Sequence, residues 1–475
     1  MTAFTERLVP AAGGPLSKGA LAGIAAVPFV LFGIGAAVSP AYALALVVGG
    51  IFAVVVFRNL AAGVAIFAVM TFFVHLPGTT GGGVTIVKLG GIVLAVAWVL
   101  KLLSDPETPF LLRDEPLLAA GVIGLAVWTL ASGIWAVDSG LAVSNALRYW
   151  QNLLLELIVY SALREPRNLR WIFYAFLVAA MFTALTGVSA GGADAAATDA
   201  STRLVGRFGT GDPNYFAALL VPALVFAPCL LVIEKRKWVR AGLIATTLVL
   251  LVTLFQTESR GGLIALAATA VLAVVFGGRM RMRALVAVVL TVVICVAYFG
   301  AVASPASRAR VTRLSSGQSS GRNDLWRVGL TVAAHHPLLG VGAGNFTLVS
   351  PRYAEGGYDV TNVDYLVDTP KVTHNTYLNV WDDLGLVGLG LLGAVVAAAL
   401  LPAARRVRYL GRTGADEELE LLGRALLLAV VAMLIASFFF SGVYQKQLWL
   451  LLGATAAVAT VPSRAARRTS SAAAG

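Results

Sequence analysis

The chain has 475 residues, of which 58% are hydrophobic and only 13% charged, with a formal net charge of +12. Soluble proteins carry roughly 25% charged residues, so this composition excludes a water-soluble globular domain. The basic excess sits in short loops between apolar runs, as positive-inside orientation produces, and nucleic-acid binding is set aside.

Apolar runs of about 20 residues, each sufficient to cross a hydrocarbon core of about 30 Å, recur along the chain. A bilayer leaves the backbone groups of an open sheet unsatisfied, so the spans are expected to be helices. In chain order the runs fall near 19–38, 41–57, 60–76, 84–103, 117–136, 141–163, 171–190, 214–233, 241–256, 261–277, 284–303, 376–401, 421–441 and 445–461. The expected fold is all-α: a polytopic helical membrane protein of about 14 (12–14) transmembrane helices, with a large outer-face loop containing short helices. Lys18, the run 19–38 and the "AYA" at Ala41 to Ala43 loosely resemble a cleavable signal. The run is long for that and another span follows at once, so it is read as a retained first span.

Five basic clusters fix the orientation: Arg164, Arg167 and Arg170; Lys235, Arg236, Lys237 and Arg240; Arg279, Arg281 and Arg283; Arg405, Arg406, Arg408 and Arg412; and Arg464, Arg467 and Arg468. With fourteen crossings all five face the cytoplasm, together with both termini. The expected organisation is 1–190, N-terminal spans; 191–303, central spans with arginine-bearing outer loops; 304–375, a large extracytoplasmic loop; 376–463, C-terminal spans; and 464–475, a basic cytoplasmic tail. Inside the large loop, "SSGQSSG" reads as linker. The following "GRNDLWRVGLTVAAHHPLLGVGAGNF" reads as an amphipathic helix, with Trp326, Leu330 and Ala333 at helical spacing, and then a glycine-rich turn. Such a helix could lie flat on the membrane.

No P-loop, HExxH, CxxC or nucleophile elbow is present, so nothing calls for a nucleotide, flavin or metal cofactor. Cys229 and Cys295 lie inside apolar runs. Three polar groups stand out on the outer side. In "RLVGRFGTGDPNYFAALLVP", Asp212, Pro213 and Asn214 form a helix start; Arg203 and Arg207 are either solvated surface cations or anion ligands. In "FQTESRGGLIAL", a very short link puts Arg260 at the outer surface beside two glycines, as an interfacial anchor or as an anion clamp. In "KVTHNTYLNVWDDLG", Leu384 to Leu401 suffice for a span. His374, Asn375, Asp382 and Asp383 are then left on one or two helical turns at the rim, in water or lining a cavity. A lone histidine is more often structural, but this one stands at a membrane mouth with carboxylates two turns away and is a candidate general base. Lys88, just inside the fourth span, either snorkels to the surface or faces a cavity. Arg148 and Glu156 share the sixth span and are expected to pair within the bundle. His75, His335 and His336 also lie on the outer side, and the last two are expected to be structural.

"SRGGLIAL", "GRNDLW…HPLLGVGAGNF" and "HNTYLNVWDDLGLVGLG", in this order and at these spacings, resemble the hallmark segments of the O-antigen ligase and polymerase superfamily. "RLVGRFGTGDPNYFA" is similar to its upstream arginine segment. The resemblance covers about 200–450. It implies an integral-membrane glycosyltransferase taking a glycan from a polyprenyl-diphosphate lipid to an acceptor hydroxyl on a glycan, lipid or protein. Carried over, Arg260 and Arg207 (or Arg203) become diphosphate ligands and His374 the catalytic histidine; Lys88 stands beside them as a further candidate diphosphate ligand. Arg322 and Trp326 become structural or substrate-positioning residues, with Asn375, Asp382 and Asp383 in support and no metal. The alternative from a different class is a lipid-linked sugar flippase. It predicts paired repeats and mid-membrane charges, neither of which the sequence displays. A third reading is a non-catalytic sugar-lipid scaffold.

Overall fold

The structure, a computed structural model, describes residues 40–73, 85–189, 203–207, 211–312, 322–355 and 371–463. The expected first span at 19–38, the "SSGQSSG" linker, His75 and the tail at 464–475 lie outside the described residues. Met1–Arg58 forms one compact unit and Asn59–Gly475 another. The described part of the first unit is one apolar helix, α1 (Pro40–Arg58). Ala41 to Ala43 lie in its first turn, not in an extended cleavage site.

The second unit continues with α2 (Leu60–Met70), α3 (Ile86–Ser104), a short α4 (Leu111–Asp114), α5 (Pro116–Ala131), α6 (Ser139–Ala162) and α7 (Pro166–Leu185). A two-residue antiparallel pair, β1 (Val188–Ser189) with β2 (Leu204–Val205), leads into α8 (Pro213–Ile233), α9 (Lys237–Gln256), α10 (Arg260–Val275) and α11 (Arg281–Ala297). Then come α12 (Pro305–Thr312), α13 (Arg322–His335), α14 (Phe346–Glu355), α15 (Thr376–Thr413), α16 (Glu417–Ala436) and α17 (Lys446–Thr460). Proline at the first position starts α5, α7 and α8, where its missing N–H costs nothing.

Among the described residues, eight helices are long and apolar enough to cross a membrane, and Val47–Arg58, Leu60–Met70 and Arg260–Val275 are apolar but shorter. The shortfall from the expected number has local causes. Helix α6 has 24 residues but carries Asn145, Arg148, Gln151, Asn152 and Glu156. Helix α17 has only 15, because the preceding residues form a turn.

Helix α8 packs on α7, α9, α10 and α16, while α17 packs on α6 and α15. Phe173 of α7 stacks on Phe226 of α8 with ring centroids 3.9 Å apart. Helix α11, by contrast, buries no residue. An apolar helix that buries no residue suits a lipid-facing edge.

The unit has two chemically different ends. At one, Asp105 meets Lys101 and Arg164 at 3.3 and 3.4 Å, Arg170 meets Glu418 at 3.1 Å, and Arg279 meets Glu417 at 3.1 Å. The backbone N–H groups of Lys235 and Arg236 donate to Glu234, and Gly411 abuts Glu420 and Arg424. Four of the five basic clusters therefore gather there. At the other end several of the links join neutral groups. Gln447 Nε2 donates to the Thr71 carbonyl (2.8 Å), the Asp138 N–H to Asn345 Oδ1 (2.7 Å) and the Thr376 N–H to the Ser437 carbonyl (2.8 Å).

Helices α13 and α14 carry their own small core of Leu325, Val328, Val332, Val341, Phe346, Val349 and Ala354. The helix expected around Trp326 is present and Ala333 is buried, but the rest of its buried face differs. Leu330 is exposed, and Gly329 and Val332 point inward with Leu325 and Val328. The helix packs on α15, so it is held by protein and does not simply float on the membrane. Burying each such side chain stabilises by about 1.5–3 kcal/mol.

Candidate active site at the polar end of the bundle

Two glycine devices shape this end. The "GVGAG" turn puts Gly340, Gly342 and Gly344 at φ of 69°, 100° and 74°, the left-handed region that glycine enters without a Cβ clash. Helix α15 is broken at Gly385, where φ is 70°. The turn docks into that break. The Leu386 N–H donates to the Pro337 carbonyl at 2.8 Å, and the N–H groups of Val341 and Gly342 donate to the Asp382 and Asp383 carbonyls at 2.8 and 2.9 Å. A Cβ on Gly340 would lie 2.5 Å from the Asp383 carbonyl carbon.

Asp382 and Asp383 are consequently buried, at 0% and 2% exposure, and not lining water as expected. Asp383 accepts from the Phe346 N–H (3.1 Å) and Asn379 Nδ2 (3.0 Å). Its role in the geometry is to anchor the turn. Among the described residues no hydrogen bond reaches either carboxylate oxygen of Asp382.

The residues just before α15 are fastened one by one. Asn375 caps the helix, its Oδ1 accepting from the Tyr377 and Leu378 N–H groups. Thr373 Oγ1 donates to the Asn375 carbonyl (3.0 Å), and Thr376 Oγ1 to the Phe440 carbonyl (2.7 Å). Trp326 Nε1 donates to the Thr373 carbonyl (3.0 Å). Between these anchors His374 adopts φ of 50°. For a residue with a Cβ that conformation costs about 1–2 kcal/mol, and it persists where the surroundings over-determine it. The imidazole is half-buried. Burial lowers its pKa; Asp212 opposes that shift, and Arg322 and Lys371 add to it. Those three charges therefore face His374 from the starts of α8 and α13 and from the segment just before α15.

The second anchor is Asn214. Asp212 caps α8 by accepting from the Asn214 N–H (2.7 Å), and also accepts from its Nδ2 (3.1 Å). Asn214 Oδ1 accepts from Arg203 Nη2 (3.1 Å) and from Ser259 Oγ (2.9 Å). Arg203 Nε donates to the Thr257 carbonyl (3.0 Å). Ser259 in turn caps α10, whose first residue is Arg260. The α9–α10 link is tight enough to hold Glu258 at φ of 49°. Gly261 and Gly262 abut Phe439 and Ala217, so these glycines serve helix packing rather than backbone approach to an anion. The starts of α8, α10 and α15 thus meet around Asp212, Asn214 and His374. Helix starts carry partial positive charge and unsatisfied N–H groups, which suits an anion.

Of the residues singled out in the sequence, Arg203, Arg260, Arg322, Trp326, His374 and Asn375 fall on this junction. Arg207 is exposed on the turn after β2, a few residues from α8. Lys88 lies elsewhere on the same end, near Lys446 and Arg148. Arg148 and Glu156 do not pair: Arg148 lies over the Tyr444 ring, 5.7 Å from its centroid, and Glu156 is buried beneath Gly453. They sit two turns apart on one helix, beyond the reach of an i,i+4 pair. His335 and His336 bond to the Thr331 carbonyl and the Tyr353 hydroxyl. Asn214, read from the sequence only as part of a helix start, is the residue that ties Arg203 to the Arg260 turn. Tyr215 and Gln447, which hydrogen-bond at 3.0 Å across the bundle, gave no sequence signal.

Residues 244–393 match the family model described as O-antigen ligase. The chain carries a domain of the O-antigen ligase and polymerase superfamily. The ligase-family stretch takes in Arg260, Arg322, Trp326, His374, Asp382 and Asp383, and with them the turn docked into α15. Arg203, Arg207 and Lys88 lie outside it. No curated protein matches the chain.

Proposed function

We propose that the chain is a membrane glycosyltransferase that moves a glycan from a polyprenyl-diphosphate lipid to an acceptor hydroxyl, with the polar end of the bundle facing away from the cytoplasm. The observation that carries the reading is the convergence of His374, held in a left-handed backbone well, with Asp212, Arg322 and the Asn214–Arg203–Ser259 knot.

Burial keeps His374 neutral near pH 7, as a general base must be. It takes the acceptor hydroxyl proton as the oxygen attacks the anomeric carbon. The bond from that carbon to the diphosphate oxygen breaks, and the electron pair leaves with the lipid diphosphate. One direct displacement inverts the anomeric centre. Charge grows on the departing diphosphate, so Arg203, Arg260 and Arg207 stabilise the transition state more than the ground state. The three helix starts act in the same sense. Trp326 and Asn375 position the histidine, and Asp382 and Asp383 hold the turn beneath it.

The test is transfer from a labelled polyprenyl-diphosphate glycan by the purified protein in lipid. His374→Ala and Arg260→Ala should each abolish product while the folded protein stays in the membrane. Full activity in both variants sinks the proposal. Donor translocation across vesicles without bond formation would favour the flippase instead.

A further inference from the structure

A second group of cations stands on the same end, away from His374. Lys446 opens α17 and is half-buried. It lies within electrostatic reach of Lys88, in the first turn of α3, and of Arg148 on α6. Arg148 is fixed over the Tyr444 ring, and that ring packs edge-on against Tyr149 with centroids 5.1 Å apart. Among the described residues neither Arg148 nor Lys446 forms an ion pair with a carboxylate. The Gln445 cap of α17 makes no side-chain cap bond, and its carbonyl accepts only from the Leu448 N–H at 3.2 Å.

The Tyr215–Gln447 hydrogen bond stands between the two cationic groups, and both partners are buried, at 4% and 1% exposure. On one flank Asn214, next to Tyr215, holds Arg203; on the other Lys446 adjoins Gln447. Lys446 is half-buried while Arg148 and Lys88 are exposed, and like charges brought together in this way repel. An anion between them removes that cost.

We propose that Arg148, Lys446 and Lys88 form a second anion subsite, which takes the phosphate or diphosphate headgroup of a lipid-linked acceptor. This rests on the glycosyltransferase reading and deepens it: an enzyme with two such subsites joins two phosphorylated lipid substrates, as in chain polymerisation. The acceptor then lies with its headgroup on the α6–α17 side and its hydroxyl reaching toward His374.

The experiment counts a sugar-free polyprenyl diphosphate bound per chain, by native mass spectrometry of the full-length protein in phosphatidylcholine nanodiscs. Two equivalents are expected. Arg148→Gln with Lys446→Gln should weaken one at least tenfold, and Arg203→Gln with Arg260→Gln should weaken the other. Because Arg148 packs on Tyr444, Lys446→Gln and Lys88→Gln are also made singly, with thermal midpoints checked; each should weaken the same equivalent. One equivalent that survives the Arg148 and Lys446 changes overturns the second subsite but leaves the donor site standing. One equivalent lost with either pair means a single continuous site and also overturns it. No binding at all overturns the glycosyltransferase reading itself. Equal occupancy by inorganic diphosphate, or displacement by phosphatidylglycerol, overturns the assignment to a lipid-linked acceptor.

Discussion

At one end of the bundle Arg170, Arg279 and Arg424 each meet a carboxylate, Glu418, Glu417 and Glu420 respectively. At the other, Arg203 meets a backbone carbonyl and an amide oxygen, and Arg148 meets an aromatic face. The two ends draw on the same residue type with opposite results. An arginine neutralised by glutamate has spent its charge within the protein. Arg148, which meets no carboxylate among the described residues, is fixed in place on its ring and retains its positive field for something else. The difference also touches backbone geometry. The residues outside glycine with positive φ among those described, Glu258 and His374, both belong to the polar end. Backbone strain is therefore concentrated at the polar end, as it is at functional sites.

The sharpest way to break this comparison is to remove the imidazole. His374→Ala should lower transfer by about 10²–10⁴-fold, the usual contribution of a positioned acid or base, with an unchanged thermal midpoint or a slightly raised one. His374→Gly should be equally inactive and more stable, because glycine relieves the left-handed backbone by about 1 kcal/mol. An active glycine variant would show that the site requires neither the ring nor the strain.

Next in size is Arg203→Lys. Lysine keeps the charge but cannot bond the Thr257 carbonyl and Asn214 at once, since it lacks the planar fork. Single-turnover transfer should fall about 10²-fold, in the range found for losing one transition-state donor. Wild-type turnover in the lysine variant would reduce Arg203 to a positive charge of no particular shape.

The pH profile sharpens the electrostatics. A protonated imidazole cannot accept the acceptor proton, so activity should fall on the acid side. Because His374 titrates below the ordinary histidine value, that fall should have its midpoint under about 6.5. Asp212→Asn keeps a capping side chain but removes a charge that favours the imidazolium, so the midpoint should move lower. Arg322→Gln removes a repelling charge, so it should move higher. Shifts in the same direction for both variants would show that neither charge faces the titrating group.

Much of the fold was legible in the sequence because spans announce themselves by composition alone. The cap at Asp212 and the glycine-rich turn were readable for the same reason: local chemistry dictates local geometry. What escaped required knowing which distant segments touch. The turn at Gly340–Gly344 plugs the break at Gly385, and that docking buries Asp382 and Asp383, which in isolation look like water-facing rim residues. The face of α13 was misjudged because Trp326 and Leu330 are as apolar as Leu325 and Val328, and only the partner helix decides which pair turns inward. Arg148, Lys88 and Lys446 come from three separate helices, so no spacing rule could group them.

The smallest effect belongs to the opposite end and closes the comparison. Arg279 and Glu417 are 56% and 74% exposed while paired at 3.1 Å. An exposed pair contributes about 0–1 kcal/mol and is screened by salt. Arg279→Gln should therefore leave transfer within twofold and shift the thermal midpoint by only a degree or two. Its consequence, if any, should appear in topology, because this end carries the cationic residues that orient the spans. A large loss of transfer in correctly inserted Arg279→Gln protein would mean that the two ends are coupled through the bundle, and the division between a structural end and a chemical one would fail.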